Sequence, residues 1–186
     1  VERTAIFIDA GYFKKVLDDF NIKVDYLKLS EILASSCNRL RTYYYDCPPY
    51  LSSEPTQSER DRKSGFDRFI TYLVNQPRFE AKLGRLQKID NEYKQKMVDV
   101  LLSLDLVRLA LEHQIQKAII IAGDSDYVPA IQIAKDAGVV VTLCFYERNA
   151  DPRRQNDKGF RIHNELKQAC DDWVHINHEL IDSIKL

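Results

Sequence analysis

Apolar and polar positions alternate between two periods along the chain, one of strands and one of helices. Residues 4–9, Thr-Ala-Ile-Phe-Ile-Asp, form a continuous apolar run ending in Asp9 and read as a first buried strand. Gly11 permits a tight exit, and Tyr12 to Phe20 carry helical spacing. Residues 25–36 place Tyr26, Leu27, Leu29, Ile32 and Leu33 on one helix, and residues 39–46 are rich in strand formers and close on Asp46. Pro48, Pro49, Ser52, Ser53 and Pro55 mark a loop. A helix is expected over 59–75, ended by Asn75-Gln76-Pro77. From Phe79 to Ile89 apolar and basic residues nearly alternate, which suggests a half-exposed strand or ribbon. Residues 96–113 give the longest helical signal, apolar on almost every side from Met97 to Leu111, so a buried helix is expected.

The most informative stretch is 119–127, Ile-Ile-Ile-Ala-Gly-Asp-Ser-Asp-Tyr. Its β-branched run stops at Gly123, two carboxylates follow, and a helical pattern then runs over 127–137 to Gly138. Acids at the carboxyl end of a strand buried on both faces stand where open α/β sheets place their sites. Helix capping by Asp124 or Ser125 explains one acid, not both. Residues 139–146 are another buried strand, 147–161 are polar and basic, 163–172 look helical, Trp173 to Ile176 suggest an edge strand, and the tail suggests a last helical turn.

Strands alternating with helices define an α/β fold with a parallel sheet and right-handed crossovers. At 186 residues the chain suits one core, so 1–186 are expected to form a single domain, with 79–95 as its one possible insertion. Net charge is −1, which excludes a global basic field and confines any nucleic-acid surface to a local patch. The four cysteines form no Cys-x-x-Cys pair, so a zinc site is not expected; reduced thiols in a cytoplasmic protein are. No signal peptide and no apolar run of membrane-spanning length is found, so no membrane partner is expected.

In a parallel sheet, strand ends of one sense share an edge with the starts of the returning helices. Asp9, Asp99, Asp124 and Asp126 can therefore converge although far apart in sequence. Clustered carboxylates stay ionised near neutral pH only with a cation, and an all-oxygen donor set favours Mg²⁺ or Mn²⁺. Such ions serve phosphoryl chemistry by activating water and steadying a leaving oxygen. Each acid also has a structural explanation: Asp9 can cap the first helix, and Asp99 can favour the first turn of its own. The apolar neighbours Val98, Val100, Leu101 and Leu102 nevertheless imply that Asp99 is buried, where an unpaired charge is costly. Asp46 is evenly balanced between site and loop edge. Asp105, three residues before Arg108, which in turn precedes Glu112 by four, reads as part of a salt-bridged stripe.

Phe7-Ile8-Asp9-Ala10-Gly11-Tyr12, Lys96-x-x-Asp99 with Asp105, and Ala122-Gly123-Asp124-Ser125-Asp126-Tyr127 together resemble the NYN domain, in particular its LabA-like branch, related to PIN nucleases. The motifs keep their order and span the chain from Asp9 to the strand at Val139–Tyr146. The resemblance implies a PIN-like three-layer α/β/α sandwich with a central, mostly parallel sheet. It also implies a metal-dependent ribonuclease site mapping onto Asp9, Asp99, Asp124 and Asp126, with Asp105 matching a frequent family acid. Two departures stand out: Asp9-Ala10-Gly11-Tyr12-Phe13 lacks the Asn that many members carry shortly after the first Asp, and Ala122 stands where Ser often precedes Gly-Asp.

RNA is the expected partner. The basic stretch with Arg148, Arg153, Arg154, Lys158 and Arg161 follows a strand, so it should emerge on the acidic edge and hold phosphates. A second stretch holds Arg78, Lys82, Arg85, Lys88, Lys94 and Lys96; Lys96, one turn before Asp99, is the candidate there for a phosphate contact. Tyr43 to Tyr45 offer rings for base stacking at whichever positions face solvent. His113, His163, His175 and His178 show no spacing tied to the acids, and no Ser-His-Asp, Cys-His or Gly-rich phosphate-loop pattern is present. The sequence thus points to an endoribonuclease using Mg²⁺ or Mn²⁺, with homo-oligomers possible. The alternatives are a non-catalytic RNA-binding module on the same fold and, disfavoured by the lack of an Asp-x-Asp nucleophile pattern at Asp9, a metal-dependent phosphatase.

Overall fold

A computed structural model describes residues 1–89 and 92–186, with side chains described outside 87–96. Strands β1 (Arg3–Asp9), β2 (Asn38–Asp46), β3 (Phe79–Leu83), β6 (Lys117–Ile121), β7 (Val140–Phe145) and β8 (Asp172–His175) form one six-stranded sheet in the order β3-β2-β1-β6-β7-β8. Every pairing in it is parallel. Between β3 and β6, β4 (Arg85–Ile89) and β5 (Glu92–Lys96) form a separate antiparallel pair. Helices α1 (Ala10–Phe20), α2 (Tyr26–Leu33), α3 (Gln57–Val74), α4 (Val98–Leu111), α5 (Val128–Asp136), α6 (Asn164–Ala169) and α7 (His178–Ile184) complete the chain.

Side-chain alternation along β1 sorts these helices into two layers. Ala5 and Phe7 join a core with Leu102, Leu106, Ile131 and Leu166, under α4, α5 and α6. Ile6 and Ile8 join the opposite core with Phe13, Leu29, Leu73 and Ile184, under α1, α2, α3 and α7. The result is the parallel-sheet α/β fold expected from the strand–helix alternation, layered as the three-layer α/β/α sandwich that the resemblance implied. Among the described residues no helix is long and apolar enough to cross a membrane. None of the four cysteines is in a disulfide, and Cys47, Cys144 and Cys170 are buried.

Three local expectations change. The ribbon read over 79–89 divides: Phe79–Leu83 is the edge strand of the main sheet, parallel to β2, and the antiparallel turn-back starts only at Arg85. Tyr43, Tyr44 and Tyr45 are all core, because β2 is covered on both faces, so none is free to stack on a base. Helix α4 is not buried all round. Val98, Leu102, Leu106 and Leu109 face the sheet, but Val100, Leu104 and Leu111 are 55%, 61% and 57% exposed. One helix packed against one sheet buries one face only, however apolar the other is.

Candidate metal and phosphate site

Three elements bring acids to the carboxyl edge of the sheet. Asp9 ends β1 and caps α1, its Oδ1 accepting from the backbone N–H of Tyr12 at 3.2 Å. Its Oδ2 accepts from the Tyr127 hydroxyl at 2.9 Å. Asp124 follows β6 and caps a 3₁₀ turn over Ser125–Tyr127, accepting from the N–H of Asp126 at 3.1 Å. Asp99 lies in the first turn of α4, which Met97 enters with a left-handed backbone, φ 77°, and without a side-chain cap. The capping readings of Asp9 and Asp124 are therefore correct, and each still leaves carboxylate lone pairs for a ligand.

Asp9, Asp99 and Asp124 line one open pocket of about 340 Å³ with Gly11, Tyr12, Lys15, Gly123, Phe160, Arg161 and His163. Asp126 does not line it, but its charge acts on the same group. Partial burial, then the charges of Asp124 and Asp126, hold the Asp99 carboxyl above the usual range. Burial raises that of Asp9 as well, with the Asp99 charge adding to it and the Tyr12 N–H and Tyr127 hydroxyl opposing it. Asp99 itself is exposed, contrary to the burial inferred from its apolar neighbours, because it points away from the face that α4 packs on the sheet.

The donor set fits a hard divalent cation: carboxylate oxygens from three elements, mutually repelling, with no thiol among them. Among the described residues no group of three or more His, Cys, Asp or Glu side chains stands close enough together to hold a metal ion by itself. An ion bound here would have to take only one or two carboxylates directly and keep several waters, as Mg²⁺ does.

The raised carboxyls have a consequence for the metal-free protein. A carboxylate whose folded pKa exceeds its unfolded value weakens the fold when ionised. The penalty is full above the folded pKa and fades as pH falls through it. Asp9→Asn, with no metal added, is therefore expected to melt above the wild type at neutral pH and to lose that advantage in acid. Thermal melts at the two pH values check it, and a lower melting temperature at neutral pH would refute it.

Gly123 makes the close approach possible. A Cβ there would lie 2.4 Å from Tyr12 Cε2 and 2.5 Å from Cδ2. The Tyr12 ring has little freedom to retreat, since its hydroxyl accepts from the Tyr146 N–H at 2.9 Å and its edge packs on Phe160. Gly123→Ala is expected to cost about 1–3 kcal/mol by overpacking, read as a fall of several degrees in a thermal melt.

Of the basic stretch expected to meet phosphates, Arg161 does line the pocket; the sequence reading missed the buried Tyr127 hydroxyl on Asp9 and the pocket-lining Lys15, and set His163 aside. Lys15 lies four residues after Gly11 and three after Tyr12, which also line the pocket, a helical spacing that offered the signal. The basic loop behaves differently from expectation. Arg148 is held by Asp19 at 2.6 Å and Asp157 at 2.5 Å, Arg154 by Asp19 at 2.8 Å, and Arg153 by Asp151 at 3.0 Å. Acids interleaved with these arginines, and Asp19 from α1, occupy the charges that were expected to meet phosphates. The arginines hold Asp19 down at about 2 in return. Lys158 is exposed on the loop and does not line the pocket. The side chain of Lys96 lies outside the described residues. Asp46 is buried and accepts from Lys14 at 2.5 Å and from the Tyr44 hydroxyl at 3.2 Å, away from the pocket. Asp105 is buried and accepts from Tyr45 and Lys82, with Arg108 at 3.4 Å, which is the salt-bridged role expected of it.

A parallel α/β/α sandwich with acids gathered at its carboxyl edge places its site where open α/β sheets bind their ligands. Residues 3–177 match the family model of the NYN domain, and the chain belongs to that family, within the PIN-like nuclease superfamily. Comparison with curated proteins gives no match. A crystal structure of a protein of unknown function from Vibrio parahaemolyticus is similar, with a TM-score of 0.64 at 20% identity over 100% of this chain and 96% of that one. At that identity the likeness bears on the fold alone.

Proposed function

We propose that the chain is a metal-dependent endoribonuclease and that residues 1–186 act as one domain. The observation that carries this reading is the convergence of Asp9, Asp99 and Asp124, from β1, α4 and the turn after β6, on one pocket that also holds Lys15 and Arg161. Asp9, Asp99 and Asp124 would hold Mg²⁺ or Mn²⁺, with Asp126 adding charge beside them. The ion, when bound, supplies Lewis acidity for hydrolysis of a phosphodiester.

The chain's own residues do the rest. The Tyr12 N–H and the Tyr127 hydroxyl each take one oxygen of Asp9 and fix the plane of its carboxylate. Lys15 and Arg161 have no ion-pair partner among the described residues, unlike the arginines at 148, 153 and 154. Their charges are free for the non-bridging oxygens of the RNA backbone. No side chain is required as a nucleophile.

The test is cleavage of labelled single-stranded and structured RNA in Mg²⁺, in Mn²⁺ and in EDTA. Cleavage with either ion and none in EDTA is expected. RNA bound equally with and without EDTA, and left intact in both ions, would select a non-catalytic binding module, the reading that the missing Asn after Asp9 favours.

A further inference from the structure

The acid pocket does not end at Arg161. A second open pocket of about 310 Å³ adjoins it, and Phe160 and Arg161 line both. Glu147, Arg148, Asn149 and His175 complete its lining. The shared wall is held in place by backbone and ring contacts. Arg148 and Phe160 exchange backbone hydrogen bonds at 2.9 and 3.0 Å. Gly159 lets the two segments close up, since a Cβ there would lie 2.7 Å from the Arg148 carbonyl oxygen. The Phe160 ring packs edge-on against Tyr12 and, tilted, against Tyr146, with centroids 5.9 and 5.1 Å away. It is still partly exposed, on the side of the two pockets that it lines.

The charges of this second pocket are already matched. Arg148 gives its guanidinium to Asp19 and Asp157, and Glu147 is met by Lys167 at 2.5 Å. Arg161 has no ion pair among the described residues, and it stands on the shared wall. A phosphate beyond that wall would meet no unpaired lysine or arginine. A flat, uncharged, polar group would meet an aromatic ring and the Asn149 amide, which is exposed and makes no side-chain hydrogen bond among the described residues. We propose that the second pocket is a base-selective subsite, seating the nucleobase next to the scissile phosphate. The inference rests on the ribonuclease reading of the acid pocket. Arg161 takes the RNA backbone where it passes between the pockets. The base lies against Phe160, and the Asn149 amide, both donor and acceptor, reads its edge.

Fluorescence anisotropy with labelled RNA trimers tests this. The probes are the A, C, G and U homotrimers, for which register is immaterial, and an abasic trimer. They are titrated in Ca²⁺, an oxygen-seeking ion that neutralises the acids, and each probe is checked for intactness afterwards. The wild type is expected to bind the four homotrimers more tightly than the abasic trimer, and the four unequally. Phe160→Leu is expected to weaken the homotrimers about tenfold, the scale of stacking one base on an aromatic ring, and to leave the abasic trimer unchanged. Asn149→Ala, at an exposed side chain, is expected to bring the four homotrimers to one affinity. Equal binding of all five probes by the wild type would overturn the subsite and leave the nuclease reading standing. Binding of none would remove both. An equal loss on all five probes in Phe160→Leu would make the ring a support of the acid pocket and overturn its role as a platform. Wild-type ratios in Asn149→Ala would overturn the reading of the base by this amide.

Discussion

Asp124→Asn is expected to lower metal-dependent RNA cleavage by about 10²-fold or more, the scale on which loss of a preorganised electrostatic group acts, while leaving the melting temperature nearly unchanged. The two halves of this expectation have separate causes. Asp124 is exposed, and its structural bond is one that asparagine can also make: the side-chain oxygen accepts from the Asp126 N–H at 3.1 Å. The turn after β6 therefore keeps its cap. What asparagine removes is one negative charge from a pocket whose other acids already repel one another. That loss weakens the hold on a divalent ion and relieves the strain that the ion would otherwise neutralise. Single-turnover cleavage with the variant prepared in parallel is the measurement. Cleavage at the wild-type rate would mean that the activity belongs to other residues or to a contaminant.

Asp105→Ala is expected to cost about 2–4 kcal/mol, somewhat less than breaking a fully buried pair, because Lys82 and Arg108 keep partial access to water. The buried carboxylate accepts from the Tyr45 hydroxyl at 2.9 Å and from Lys82 at 2.8 Å. Alanine leaves that hydroxyl, on a residue fully inside the core, with no acceptor. Asp105→Asn restores an acceptor for Tyr45 and should recover part of the loss. Denaturant unfolding of both variants measures this. Cleavage per folded molecule should be unchanged in Asp105→Asn, since Asp105 does not line the pocket. A folded Asp105→Asn protein without activity would make this acid part of the site and contradict its assignment to the core.

Where backbone periodicity governs, the sequence was readable. The runs at Thr4–Asp9 and Ile119–Ile121 are strands, the first ends in Asp9 and the second is followed by Asp124, and a parallel sheet places those ends on one edge. The parallel α/β sheet followed from the same alternation, and the three-layer arrangement from the resemblance carried by the Asp9, Asp99 and Asp124 motifs. What stayed hidden depends on partners distant in sequence. Nothing local distinguishes an arginine that meets phosphate from Arg148, which meets Asp19 across 129 positions. Tyr127 reads as the first residue of a helix, and only folding brings its hydroxyl to Asp9, 118 positions away. Phe79–Leu83 alternates like a half-exposed ribbon because an edge strand has one open side, and periodicity alone cannot say which sheet it edges. Helix α4 misled for the opposite reason. Its composition is that of a helix covered all round, and within one chain the sheet covers half of it.

The position of β1 between β2 and β6 also bears on how the molecule is made. Synthesis delivers β2 soon after β1, but β6 begins only at Lys117. Until then the strand that ends in Asp9 has one side without a partner, and the emerging chain carries a bare parallel edge of the kind that invites misassociation. Asp124 emerges later still. The ribosome must therefore release about two thirds of the chain before the three acids can meet, and a nascent fragment ending earlier has the first carboxylate but no pocket to hold it.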